Sequence, residues 1–556
     1  CSCWEKAQIA VTPAIASRRD ISIAVLVGVL FVVIGLLVSD QYGLTWDEPE
    51  NLAVGERYLA FFSTGDVTFL DFSRPRPSVD NPDGLHLRLL DSHVHPPFPN
   101  IAAALTGRVL GRWTGWMDPV DARHAAVVMM GGATLSVTYL FAREAFGRLA
   151  ALLAVLTLAF FPRFVGHAHY NLKDIPKTLM FCVTLWALWR GTTFRRPGWI
   201  LGAGLALGVG LSVRPNLAIA AIAGALWVTA RHRYWRTASV RGRRVWPALL
   251  GFPLAALVGF IMAWPAMWVR PLDTVEGLWE YWRWIGISGR AGWTLYPVLA
   301  IAFTTPLSTL LLACWGAVGS IRLWRHDGHR SLLLLWLWIV LPVARASMPG
   351  MNVYDGIRHF MEVVPAVAIL AALGGGEIAW FVKQAVRVPR WLAYIVAVLF
   401  VFPAFLCVVR FAPYEIAFFN RLIGGLPGAQ AAGVQDATDY WGTSYRQGFA
   451  WVNDTAPSDA ALYLPEGQRH LAQAVHGLWI RQDVVLISAD EPQVTSEPVY
   501  VMYTTRPTEY GAIERYCQEN LIPVYVIKVD GAPILKVFRL SPQMWESVRR
   551  WRGLSE

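Results

Sequence analysis

Eleven apolar segments restrict this chain to very few folds. They cover residues 21–38, 122–142, 149–166, 175–190, 198–213, 216–230, 246–266, 296–320, 332–347, 360–376 and 391–410. In lipid every backbone N–H and C=O must be satisfied within its own segment, so each is expected to be helical. Composition agrees: of 556 residues 55% are hydrophobic and only 16% charged, where soluble domains carry about 25% charge. That balance excludes a disordered polymer, a coiled coil and a conventional cytosolic enzyme. The net charge of +10 would fit nucleic acid, but the cations stand in short clusters between the apolar segments, as membrane topology requires. No nucleic-acid partner is expected. Nor is a disulfide framework, since Cys182, Cys314 and Cys407 lie within apolar segments and Cys517 stands alone in the tail.

Loop charge sets the orientation. With residues 1–20 cytoplasmic, strict alternation puts Arg143 and Arg148, Arg190 to Arg196, Arg231 to Arg244, Arg322 to Arg330 and Lys383 to Arg390 on the inner side, which is the usual bias. The first apolar run is too long for a signal-peptide core and lacks a cleavage site after it. The run Phe98 to Leu110 is too short to span and is read as a juxtamembrane or re-entrant helix. An odd number of spans leaves the loop 40–121, the loop 270–294 and the tail 411–556 outside. Trp264, Trp268, Trp279, Trp282, Trp284 and Trp293 ring the second of these, as indoles do at a headgroup boundary.

The tail is of another kind. Alternation over 498–503, 524–529 and 533–538, with 484–487 and an Asp530-Gly531 turn, predicts strands and a hairpin. Helical patterns cover 443–454 and 511–519. The expected architecture is an α-helical polytopic membrane domain, residues 21–410, followed by a small extracytoplasmic α/β domain, residues 411–556.

Polar side chains gather where the outer face should be. Asp47-Glu48-Pro49 follows the first span, and Asp91-Ser-His93-Val-His95-Pro96-Pro97 stands later in the same loop. The acids read either as helix-capping residues or as a reactive pair. The histidines read as an interfacial turn, as phosphate ligands or, with one Asp nearby, as a thin divalent-metal pattern. After the third span comes Asn171-Leu-Lys173-Asp174-Ile-Pro176, and Arg214, Arg270, Arg358 and His359 occupy other outer edges. Cations on the side that normally lacks them point to an anion held at headgroup level. A secondary transporter or a lipid-linked glycan flippase or polymerase is the rival class. Transporters place their ionisable groups near the bilayer midplane, and here the charges collect at one face.

These residues, in this order, resemble the GT-C glycosyltransferases of family 39, which include the protein O-mannosyltransferases and the aminoarabinose transferases of lipid A. Tyr296-Pro297 leading to Thr305-Pro306, Tyr354-Asp355-Gly356-Ile357-Arg358-His359 and Tyr440-Trp441-Gly442-Thr443-Ser444 extend the likeness to about residue 460. His95 before the two prolines follows the mannosyltransferase pattern, where the aminoarabinose branch has Lys. The resemblance implies a GT-C fold in a bacterial inner membrane, with the active site outside, a polyprenyl-phosphate sugar as donor and an extracytoplasmic protein, lipid or glycan as acceptor. It implies inversion at the anomeric carbon, with Asp47 as general base, Glu48 positioning a substrate, and Asp174 orienting Lys173 or the sugar. His93, His95, Lys173, Arg214, Arg270, Arg358 and His359 would bind the donor phosphate. No metal ligands are assigned, and a divalent ion remains a compatible cofactor.

Overall fold

The computed structural model describes residues 13–71, 83–87, 96–231, 245–281, 283, 289, 291–323, 330–386, 389–490 and 497–555. Contacts divide the chain into two compact units, the first made of residues 1–36, 93–99 and 126–409, the second of residues 37–92, 100–125 and 410–556.

Every expected apolar segment is helical. Among the described residues five helices are long and apolar enough to cross a membrane: Arg18–Leu37, Pro119–Phe146, Val245–Ala263, Val363–Ala385 and Tyr394–Phe411. Two more crossings arise if the bent pairs Arg148–Ala159 with Pro162–Tyr170 (65°) and Tyr296–Thr304 with Leu307–Ile321 (119°) each count as one span. Proline explains the sharper bend: Pro306 cannot donate, and Thr305 before it is extended at φ −87°, ψ 133°. Asp174–Thr193 is also 20 residues long, and Pro197–Leu211, Pro215–Ala230 and Ser331–Ser347 are shorter apolar helices. The reading of eleven segments thus matches eleven helical stretches, while length and apolarity alone identify five to seven crossings.

In the first unit Pro197–Leu211 packs on both Asp174–Thr193 and Val245–Ala263, and Val363–Ala385 packs on Leu307–Leu323 and Arg148–Ala159. Lipid-facing chains gain little from burying apolar surface against one another, so close backbone approach has to do that work. Gly204 and Gly208 supply it: a methyl at either would meet the backbone of residues 252–260.

The second unit holds a five-stranded sheet in the order β2-β1-β3-β5-β4. Its strands are β1 (Ala461–Tyr463), β2 (Val485–Ile487), β3 (Val499–Thr504), β4 (Tyr525–Val529) and β5 (Ala532–Leu540). β1 runs parallel to β2 and β3, while β5 is antiparallel to both β3 and β4. Asp530 and Gly531, at φ +50° and +86°, make the tight turn whose left-handed residues suit the strand twist. β3 is buried along its whole length. One face carries Val499, Val501 and Tyr503 against Ile513, Cys517, Trp545 and Val548 of the helices Ala512–Asn520 and Pro542–Ser555. On the other, Met502 and Leu535 meet Gly448 of the helix Tyr445–Thr455, so closely that a methyl there would collide with Met502.

Candidate active site

In the first unit a buried ionic network forms where helix ends meet. Asn171 follows the helix Pro162–Tyr170, and its Oδ1 accepts from the amides of Lys173 (3.1 Å) and Asp174 (2.8 Å). Its Nδ2 donates to Asp174 Oδ2 at 2.9 Å. Asn171 therefore both starts the helix Asp174–Thr193 and fixes the Asp174 carboxylate, a side-chain-to-backbone exchange typical of helix starts. Asp174 is wholly buried and faces two cations, Arg214 Nε at 3.4 Å and Lys177 Nζ at 3.7 Å. Lys177, one turn along the same helix, reaches Glu362 Oε2 at 2.7 Å and donates to the His359 carbonyl at 2.9 Å. Arg345 donates to that carbonyl as well, at 3.0 Å.

The turn carrying Arg358 and His359 is built by Asp355 and Gly356, both left-handed at φ +57° and +68°; Asp and Gly reach that conformation at least cost. Gly356 N donates to Tyr296 Oη at 2.7 Å, which ties the Tyr296-Pro297 segment to this loop. Arg358 pairs with Asp355 at 2.9 Å and lies over the Tyr354 ring at 4.7 Å. The same ring meets His359 edge-on at a centroid distance of 4.7 Å. Burial, and then the charges of Arg358 and Arg214, hold His359 well below the usual imidazole range. It is neutral, and its buried Nε2 makes no hydrogen bond among the described residues.

Asp174, Arg214, Arg358 and His359 are thus brought together. Lys173 is half-buried at the helix start, and the cations against Asp174 are Lys177 and Arg214. Arg270 is exposed at the end of the short helix Ala266–Val269. His93 and His95 lie outside the described residues. Lys177, Arg345 and Glu362 were missed from sequence, although ionisable groups at the ends of apolar helices are the signal that would have found them.

The second unit positions Asp47 and Glu48. Asp47 precedes the helix Glu48–Thr64, with Pro49 in its first turn, where a missing N–H loses nothing. Glu48 is buried: Oε2 accepts from Thr45 N at 2.6 Å and Oε1 from His124 Nε2 at 2.9 Å. Asp47 is only half-buried, and its side chain makes no cap bond to the helix. Its position is set by the strand-like segment before it. Trp46 N donates to Trp441 O at 3.1 Å, and Trp46 O accepts from His470 Nε2 at 2.7 Å. Gly43 lies so near the Thr443 carbonyl that no side chain fits. The loop 440–444 is itself held by Asp439, whose carboxylate accepts from Gly442 N at 3.0 Å and Ser444 N at 2.6 Å, with Gly442 at φ +83°.

The first turn of Pro119–Phe146 adds three further groups that sequence reading missed. Asp121 accepts two bonds from Arg446 (2.6 and 3.1 Å), Arg123 binds Glu56 (2.8 Å) and Asp83 (3.2 Å), and His124 holds Glu48. Among the described residues no three His, Cys, Asp or Glu side chains gather as a metal ion would require.

Residues 94–268 match the family model for dolichyl-phosphate-mannose-protein mannosyltransferases. Among solved structures, ArnT from Cupriavidus metallidurans bound to undecaprenyl phosphate superposes with a TM-score of 0.50 at 16% identity, over 92% of this chain and 97% of that one. The oligosaccharyltransferase of Archaeoglobus fulgidus in its apo form gives a TM-score of 0.46 at 12% identity, over 91% of this chain and 70% of that one. No curated protein matches the sequence. Residues 94–268 resemble the mannosyltransferase family, and the chain shares the fold of the ArnT structure over 92% of its length.

Proposed function

We propose that this protein transfers a sugar from a polyprenyl-phosphate donor to a hydroxyl on the outer side of a bacterial inner membrane, with inversion at the anomeric carbon. The observation that carries the reading is the cluster of the buried Lys177 and Arg358 with the half-buried Arg214 and Arg345, four cations against the three buried carboxylates Asp174, Asp355 and Glu362. Such a cluster with surplus positive charge suits an anion, and guanidinium groups suit phosphate. The neutral His359 has an Nε2 to offer the same ligand.

The roles follow from the chemistry. The acceptor oxygen attacks the anomeric carbon, its proton passes to the Asp47 carboxylate, and the bond to the phosphate oxygen breaks with its electron pair leaving on the lipid phosphate. That leaving group needs charge compensation, which pre-oriented cations supply without reorganisation. Asp174 keeps Arg214 and Lys177 in place. Glu48, already held by His124 and Thr45 N, positions rather than deprotonates. Lys173 and Arg270, with His93 and His95, are further phosphate-binding candidates carried from the sequence. The lipid bilayer supplies the donor.

Arg358 and Lys173 test the phosphate assignment. Arg358→Ala and Lys173→Ala should each weaken binding of a polyprenyl-phosphate sugar, by about ten-fold or more for a charged hydrogen bond, with non-additive loss in the double variant. Arg358→Lys should recover charge and only part of the affinity. If these variants lower thermal stability alone, with donor affinity unchanged, the residues only hold the fold, Arg358 through its ion pair with Asp355, and the phosphate assignment fails.

A further inference from the structure

Within the second unit the sheet has an unused crevice. The chain leaves β1 toward β2 on one side and later returns past β1 to β3 on the other, so β1 and β3 are adjacent parallel strands whose following segments diverge. In open α/β sheets such a divergence opens a cleft beyond the carboxyl ends of the strands, and ligands settle there. A cavity of about 210 Å³ occupies this place, walled by Tyr463 and residues 465–468 at and after the end of β1, by Glu509 and residues 511–514 after β3, and by Trp46. It is smaller than the ~300–1,000 Å³ typical of drug-sized ligand sites, so it takes one ring rather than a chain.

Its chemistry is selective. Glu466, Glu509 and Glu514 bring three carboxylates, Gln468 an amide and Tyr463 a phenol, while among the described residues no Lys or Arg lines the space. Tyr463 Oη donates to Glu514 Oε1 at 3.2 Å, and Glu514 folds back over Gly511 at the start of Ala512–Asn520, so the helix end is already matched with a negative charge. Glu509 stands 3.6 Å from Arg506 and is exposed, and Glu466 accepts from Ser488 Oγ at 3.2 Å. An anion is repelled from such a wall. A ring of hydroxyl groups is not: carboxylates accept O–H bonds, the Gln468 amide, whose Oε1 already accepts from Tyr445 Oη, has N–H groups to donate, and the half-buried indole of Trp46 offers an apolar face for C–H groups.

We infer that this crevice at the β1/β3 divergence binds an uncharged sugar ring of the glycosyl acceptor. The inference rests on the glycosyltransferase reading and narrows it, since it makes the acceptor a glycan or glycolipid rather than a bare protein hydroxyl. Chain continuity links the crevice to the chemistry: Trp46 walls it, Asp47 is the next residue, and the backbone of Trp46 is clamped on both sides by Trp441 and His470.

The test uses the detergent-purified full chain without donor, with neutral methyl hexosides and hexose disaccharides as probes in saturation-transfer NMR and calorimetry. Wild type should bind at least one of them. Ala512→Trp, which plugs the cavity and removes no polar group, should abolish binding, and Glu509→Gln at its exposed rim should weaken it about three- to ten-fold. Thermal melting of both variants reports folding, and the rim variant keeps the test decisive if the plugged one is unstable. Absence of binding by every neutral sugar overturns the inference, as does equal binding by wild type and both variants. So does a Ser/Thr-rich peptide that binds in their place and is lost in Ala512→Trp. Because no donor is present, either outcome leaves the donor assignment to be judged by its own binding experiment.

Discussion

Lys177 and Glu362 form the contact on which the proposed phosphate site depends, because both are buried and each is the other's closest charge, at 2.7 Å. Removing one member of such a pair strands the other in low dielectric, at a cost of about 3–5 kcal/mol. Lys177→Met should therefore lower the melting temperature sharply, and adding Glu362→Gln should recover part of the loss; strict additivity in a double-mutant cycle would show that the pair is not coupled. Asp174, Arg214, Arg358 and His359 were legible in the sequence because they interrupt the outer edges of apolar segments. Lys177, Arg345 and Glu362 were not. They sit one turn inside a helix or against a hydrophobic run, where a single charge reads as a snorkelling end residue until the fold supplies its partner.

Among the elements, the segment from Tyr42 to Trp46 matters most, since it aims Asp47 and is fixed by backbone contacts that no pattern displays. Its first residue hydrogen-bonds Glu415, Tyr42 Oη to Oε1 at 2.8 Å. Burial raises the Glu415 carboxyl from 4.5 to about 7, opposed by hydrogen bonds from the backbone and Tyr42, and burial with the nearby Glu415 charge pushes the Tyr42 phenol up. The native state holds the Glu415 proton more tightly than the unfolded chain does. This contribution to stability is thus complete below about pH 4.5 and is lost as pH rises through about 7. Melting temperature measured from pH 5 to 8 should fall, and Glu415→Gln should flatten that fall; an unchanged slope in the variant would remove Glu415 from the account. In the tail, β3, β4 and β5 run five to nine residues and are rich in β-branched and aromatic side chains, while β2 showed itself only through the largely β-branched run 484–487. β1 has only three residues, all buried, too few to show a period. Helix Pro542–Ser555 hid for a similar reason, since among the described residues only Trp545 and Val548 of it enter the core cluster.

For the whole molecule the sequence displayed helical segments and their loop charges, but a bend is a tertiary matter. The 119° break at Thr305-Pro306 could be suspected from proline alone and not measured by it. Parity remains open to direct test: reporters fused after Arg236 and Arg387 should be cytoplasmic, and those after Gly84 and Tyr463 external. A cytoplasmic signal at Tyr463 would contradict eleven crossings and an outer-face reaction. The central claim is sugar transfer driven by Asp47, and reconstitution tests it most directly. Purified protein in liposomes would receive polyprenyl-phosphate sugars and candidate acceptors, with mass spectrometry following donor and product. The account predicts donor consumption with a glycosylated acceptor for wild type, and a loss of about 10²- to 10⁴-fold for Asp47→Asn with donor binding retained. Wild-type turnover by Asp47→Asn with both substrates saturating would contradict it.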